Sequence, residues 1–219
     1  MFASSESSDA TAGFSGRAPL FPLPNASLFP NVLLPLHIFE PRYRAMTRDA
    51  LDGDGYIAMV QPSGQNADPM NPPVYPVACL GRIITSEDAD DGRYNIVLKG
   101  QIRLRIAQEV SPKDGYRRVE ADYSGFRADL TPAREEIERP QLLEALRGYL
   151  ERRNLQANWD DAQKASNEAL VNALAAACPF SPQEKQALLE AGTVAERCAL
   201  MIALCEMDRN GGSGPAAIH

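Results

Sequence analysis

Histidine and cysteine are scarce in this chain, two and four among 219 residues. Cys79, Cys178, Cys198 and Cys205 are scattered with no CxxC pair, and the histidines are His37 and His219. Structural zinc needs four such ligands at tight spacing, so no metal site is expected. Cys198 and Cys205 share one face of a helical pattern, but ~10 Å along its axis is too far for a disulfide. Reduced, buried thiols and a cytoplasmic location are the expectation. An excess of basic charge is also missing. The net charge is −7, which leaves a nucleic-acid role without an electrostatic footprint over the whole chain. No apolar run approaches the ~20 residues that cross a bilayer. The N-terminus has no basic segment followed by an apolar one, which argues against a secretory signal. No GxxxxGK[ST] loop is present to cradle nucleotide phosphates, and no cofactor is expected.

What the chain has in quantity is proline among large apolar residues, concentrated in Leu20 to Tyr43, LFPLPNASLFPNVLLPLHIFEPRY. Pro22, Pro24, Pro30, Pro35 and Pro41 each remove a backbone donor and bias the preceding residue toward extended geometry. Between them lie Leu20, Phe21, Leu23, Leu28, Phe29, Val32, Leu33, Leu34, Leu36, Ile38 and Phe39, a set whose size calls for burial. Short extended segments broken by turns, with the missing donors at edges or bulges, satisfy both demands.

Past Pro41 the spacing of Tyr43, Met46, Ala50 and Leu51 predicts a short helix, stopped by Gly53 and Gly55. Tyr56 to Val60 reads as a buried strand, and 61–76 (QPSGQNADPMNPPVYP) as a long polar loop. Val77 to Ser86, the acidic turn EDADDG and Arg93 to Lys99 predict a hairpin. Gly100 punctuates, and Ile102, Leu104 and Ile106 alternate with Arg103 and Arg105 as in a half-exposed strand. SPKDG reads as a turn before a further strand over Tyr116 to Tyr123. About six strands are therefore expected in the first half.

Near Thr131 the pattern becomes helical. Leu142, Leu143, Leu146, Tyr149 and Leu150 form one stripe, and Leu170, Val171, Leu174 and Ala177 a second. Ser181-Pro182-Gln183-Glu184 and Thr193-Val194-Ala195-Glu196 are capping boxes that start two more helices. The expected class is α+β, a β-rich domain over 19–128 with one short helix, then four helices over 129–208. Residues 1–18 and 209–219 read as disordered tails.

The residues PLFPLPNASLFPNVLLPLHIFEPRYRAM, CLGRI and DGRYNIVLKGQIRLRI resemble the N-terminal substrate-binding domain of Lon proteases. The resemblance continues through LVNALAAACPFSPQEKQALLEAGTVAERCALMIALCEMD, and is strongest to stand-alone bacterial proteins built from that domain. It implies a PUA-like β pseudo-barrel followed by a four-helix bundle, in a region that recognises unfolded or tagged substrates and helps to organise an oligomer. Pro24, Pro30, Pro35, His37, Phe39, Glu40, Pro41, Arg42 and Tyr43 carry the signature. Full Lon proteases continue into an AAA+ motor and a Ser–Lys protease domain, and neither set of motifs is found here. Pro112-Lys113-Asp114-Gly115 matches the start of the protease motif PKDGPSAG, but Tyr116 and Arg117 stand where Pro and the nucleophilic Ser belong. It reads as a β-turn.

Each candidate site residue has a plain structural role to set beside a functional one. His37 lacks a Ser or Cys partner nearby and reads as a partly buried histidine bonded to backbone. Glu40 reads as the carboxylate that meets the N–H groups of the first helix. Arg82, Arg93, Lys99, Arg103 and Arg105 place cations on neighbouring strands, suited to an acidic peptide or to RNA. The abundant Glu87, Asp88, Asp90, Asp91, Glu109 and Glu120 favour solvated ion pairs instead. Met70, Pro72, Pro73 and Tyr75 in the long loop are contact groups of an interface type. The favoured reading is a non-catalytic module that binds unfolded or extended polypeptide segments between the β-domain and the helices. Met70, Pro73, Tyr75, Arg82, Arg93, Lys99 and Arg103 are its candidate contacts. A homo-oligomer or a partner protease is a further expectation, with no membrane. An RNA-binding protein is the alternative.

Overall fold

A computed structural model describes residues 14–64, 68, 70–89, 91–132 and 135–211, with side chains through 208. Six strands form one mixed sheet: β1 (Arg17–Pro22), β2 (Leu33–Ile38), β3 (Tyr56–Val60), β4 (Val77–Asp88), β5 (Tyr94–Lys113) and β6 (Tyr116–Asp122). Helix α1 (Pro41–Asp52) lies between β2 and β3. A 3-10 segment, Ser124–Leu130, leads to α2 (Arg139–Arg152), α3 (Trp159–Lys164), α4 (Asn167–Ala177), α5 (Pro182–Glu190) and α6 (Val194–Gly211).

The strand order is β2-β5-β4-β3-β1-β6, and β6 pairs back onto β5. Five strands thus close a hydrogen-bonded circuit, and β2 is attached to it from outside. Closure requires β5 to serve three partners along its 20 residues. Gly100 makes that possible without ending the strand. A Cβ there would lie 2.0 Å from the Phe29 carbonyl oxygen. The sequence pattern placed two strands on either side of Gly100; the structure joins them, because glycine lets the 29–32 turn approach while the ladder continues. At the far end of β5, Asp114 (φ 46°) and Gly115 (φ 83°) make the tight hairpin turn expected of the PKDG segment.

Alternation along the ring strands divides the core. Leu20, Tyr56, Ala58, Val60, Leu80, Ile102, Leu104 and Val119 form one cluster to which all five ring strands contribute. The opposite faces, with Phe21, Ile57, Met59, Cys79 and Leu98, join a larger core shared with α1 and the C-terminal helices. Proline is accommodated as its chemistry requires. Pro41 opens α1, and Pro35 lies on the edge strand β2.

Several expectations change. Of the proline-rich apolar set, Leu33 is 56% and Phe39 59% exposed; β2 buries one face only and Leu33 lies on the other, while Phe39 follows the end of the strand. Among the described residues five α-helices follow the sheet where four were expected; the addition, α3, is six residues long, starts at the Asn158 cap and has no buried residue, so it leaves no stripe. The 128/129 boundary falls inside the 3-10 segment. β1 begins at Arg17, and Phe14 packs edge-on against Tyr56 at 5.5 Å, so the tail expected over 1–18 is ordered from residue 14. The rest of that tail, most of the C-terminal one, and Asp90 lie outside the described residues. Both capping boxes form, at Ser181/Glu184 and Thr193/Glu196.

Candidate functional site

The sheet and the helices are tied by buried polar groups. Arg103, 2% exposed, forks onto Asp129 at 2.8 and 2.9 Å. The same guanidinium donates to the carbonyls of Leu189 (3.0 Å), Ala191 and Gly192 (3.2 Å) between α5 and α6. Asn172 of α4 donates to Pro30 O at 2.9 Å, and Gln186 of α5 to Val77 O at 3.1 Å. Arg197 donates to Leu188 O at 2.7 Å, and burial pushes its guanidinium down to about 10.

These ties leave a groove of about 780 Å³ open beside them. One wall is the proline-rich segment at 25–27 and 30–34; the other is Leu146 of α2, Asp161 and Ala162 of α3, and Ala169, Leu170, Ala173 and Leu174 of α4. Small side chains create the space. Ala157, Ala162, Ala165, Ala169, Ala173, Ala176 and Ala177 line the helical wall where leucines would have filled it. Among the described lining residues Asp161 is the one charged group. Ser27, 7% exposed, lines the groove, and its Oγ has no hydrogen-bond partner among the described residues. An apolar trough with a few polar atoms at its foot suits a partly apolar chain.

The candidate contacts chosen from sequence do not line this groove. Arg103, expected on a solvent-facing strand, is instead the buried tie just described, so it is withdrawn as a peptide contact. Arg93 is exposed and paired with Asp91. Arg82 and Lys99 are register neighbours across β4 and β5, and Lys99 is opposite Leu33 on β2. Arg82 also reaches over the Tyr56 ring at 5.7 Å. The cations therefore do not gather into one basic face. Met70 is exposed; its carbonyl accepts from Arg42 at 2.6 Å, and the Pro72 carbonyl accepts from Arg117 at 2.6 Å. Pro73 O accepts from Ser63 N–H, and Tyr75 N–H donates to Gln61 O. These bonds pin the described ends of the long loop onto α1 and β6, away from the groove.

Among the signature residues, Pro30 lines the groove and also accepts from Asn172. Pro24 is an exposed turn residue. His37 is exposed, and its Nδ1 meets Asn95 Oδ1 at 2.7 Å, a side-chain partner where a backbone one was expected. Glu40 does occupy the N-cap of α1, but its carboxylate makes no cap bond; it accepts from Arg42 Nε at 3.1 Å. Proline at the first helical position lacks an N–H that would have stayed unpaired there, and its fixed φ suits the helix start. Tyr43 is buried against Phe21 at 4.3 Å, with the Arg42 guanidinium over its ring at 4.4 Å.

No described thiol is prepared for nucleophilic work. Burial pushes Cys178 up to about 11 and Cys205 up to about 12, and raises Cys79 further. Among the described residues no cluster of His, Cys, Asp and Glu is arranged to hold a metal, and no helix is long and apolar enough to cross a membrane. A groove between the β-domain and the helices was expected, but its lining escaped the sequence. Alanine at 169, 173, 176 and 177 is visible as composition, but which wall faces it, and whether the gap is filled, depends on contacts between segments far apart in the chain.

Comparison with known proteins agrees with this architecture. The chain is 27% identical over 202 residues to Lon protease 1 of Bdellovibrio bacteriovorus, covering 86% of this chain and 24% of that protein. It is 26% identical over 203 residues to Lon protease 2 of Myxococcus xanthus, covering 87% and 24%. It thus spans less than a quarter of the length of these relatives. Among solved structures, a Lon N-terminal domain protein from Xanthomonas campestris superposes with a TM-score of 0.61 at 21% identity, over 85% of this chain and 97% of that one. The N-terminal domain of the Mycobacterium avium complex Lon protease gives 0.60 at 18% identity, over 87% and 98%. The family model for the ATP-dependent protease La (LON) substrate-binding domain matches residues 17–206, and the chain belongs to that family.

Proposed function

We propose that this chain is a non-catalytic binding module whose groove takes extended, partly apolar segments of unfolded polypeptide. The observation that carries the reading is the 780 Å³ apolar groove. Family membership and the raised thiols support it. On the same reading the closed five-strand circuit is a PUA-like pseudo-barrel and the helices around α6 form a bundle, two lobes with the groove between them. Buried thiols suit a cytoplasmic location, where they stay reduced. The client would come from, or be passed to, a protease working alongside.

A permanently unfolded, carboxymethylated protein tests the proposal. It binds the wild-type chain at micromolar concentration, and Ala173→Trp, which fills the groove from an exposed position, weakens binding at least tenfold without lowering the melting temperature. Absence of wild-type binding, or binding indifferent to the Ala173→Trp substitution, refutes it.

A further inference from the structure

The groove reaches the start of β2, since Leu33 and Leu34 line it and also begin that strand, while residues 35–38 continue past it. β2 ends the strand order and is paired on one side only, with β5. Gly100 N–H donates to Val32 O at 2.9 Å. From that bond, antiparallel alternation turns the main-chain groups of Leu34, Leu36 and Ile38 toward β5 and those of Leu33, Pro35 and His37 outward. Pro35 therefore removes an outward donor and costs the sheet no ladder bond. The free edge offers two N–H groups, from Leu33 and His37, and three carbonyls.

Edge strands are usually blunted by charge, above all lysine. β2 reads LLPLHI and carries no Lys, Arg, Asp or Glu, while Leu33 and Phe39 are more than half exposed. Unpaired main-chain groups spaced along an uncharged strand, next to an apolar trough, match the chemistry of another extended chain. Its amides complement the edge, and its apolar side chains beyond Leu33 can enter the trough.

We propose that a client segment binds as an added strand on the outer edge of β2, with its apolar side chains beyond Leu33 seated in the groove. This rests on the polypeptide-binding reading above and specifies how the segment is held. Main-chain pairing tolerates many sequences, and the groove asks only for apolar residues in the part that enters it.

The probe is a fluorescein-labelled decapeptide of alternating leucine and serine with lysine at both ends, titrated into the full chain by anisotropy. In a strand, alternate N–H groups point to opposite edges. Methylating the backbone nitrogens of one alternate set is expected to weaken binding about tenfold or more, and methylating the other set less than about twofold. His37→Pro removes an outward donor and is expected to weaken binding about fivefold, whereas His37→Ala, which keeps the N–H, leaves it unchanged; both retain the wild-type melting temperature. Equal effects of the two methylated sets, with binding still lost in Ala173→Trp, overturn strand addition and leave groove binding standing. No binding by the unmethylated peptide overturns both. A dimer that His37→Pro dissolves and the peptide fails to compete with assigns the edge to a second copy and overturns the proposal.

Discussion

Replacing Arg103 by methionine tests the tie between the sheet and the helices. The substitution keeps an unbranched apolar stem of similar reach but deletes the guanidinium. Asp129, whose side chain is 8% exposed, then retains only the Arg103 main-chain N–H at 2.9 Å. The carbonyls of Leu189, Ala191 and Gly192 lose a donor together. Removing one partner of a buried pair costs ~3–5 kcal/mol, because a buried charge is left without compensation. For a chain of this size each kcal/mol moves the melting temperature by ~2–4 °C, so a fall of about 6–20 °C is expected. Urea unfolding supplies the free energy, and the cycle Arg103→Met, Asp129→Leu and the double variant isolates the pair. The double variant recovers much of the loss, since it removes both charges. A cost below ~1 kcal/mol for Arg103→Met, the range of exposed pairs, refutes the argument.

Phe39→Ala is expected to change stability by no more than ~0.5 kcal/mol, since its ring is largely in solvent, while Phe29→Ala costs ~3–5 kcal/mol from a fully buried site; paired melting curves separate the two. Gly100→Ala would set a methyl against the rigid Phe29 carbonyl, so a loss of ~2 kcal/mol or more is expected by denaturant titration, and a neutral result shows that the 29–32 turn yields. Asp49 accepts from Lys113 at 2.7 Å and from Tyr116 at 2.8 Å, and its carboxyl is held below the ordinary value first by the Lys113 bond. A lowered folded pKa stabilises the fold above the unfolded value of 3.8, and that contribution is lost as pH falls through the folded value. Asp49→Asn should therefore flatten the stability profile below about pH 4 and leave the acid limb otherwise intact, as urea midpoints across pH would record.

The local elements were legible in the sequence, because what specifies them is itself local. Pro41 opens α1 and Ser181/Glu184 opens α5, since caps and fixed φ act within one turn. An unbroken apolar run placed Tyr56–Val60 in a strand and alternation the Ile102–Ile106 stretch, while helical stripes located α2 and α4 and capping boxes the starts of α5 and α6. The proline-rich signature and the helical half also carried the family resemblance. Which surfaces meet became readable only in three dimensions. A strand's period reports that one face is buried, not which face or against what; hence Phe39 and Leu33, apolar yet exposed, and Arg103, charged yet buried against carbonyls 86 to 89 residues away. The groove is the same kind of quantity. It is the space left between alanines of α3 and α4 and a proline-rich wall from the start of the chain, and such a space is a property of packing, which no single segment contains.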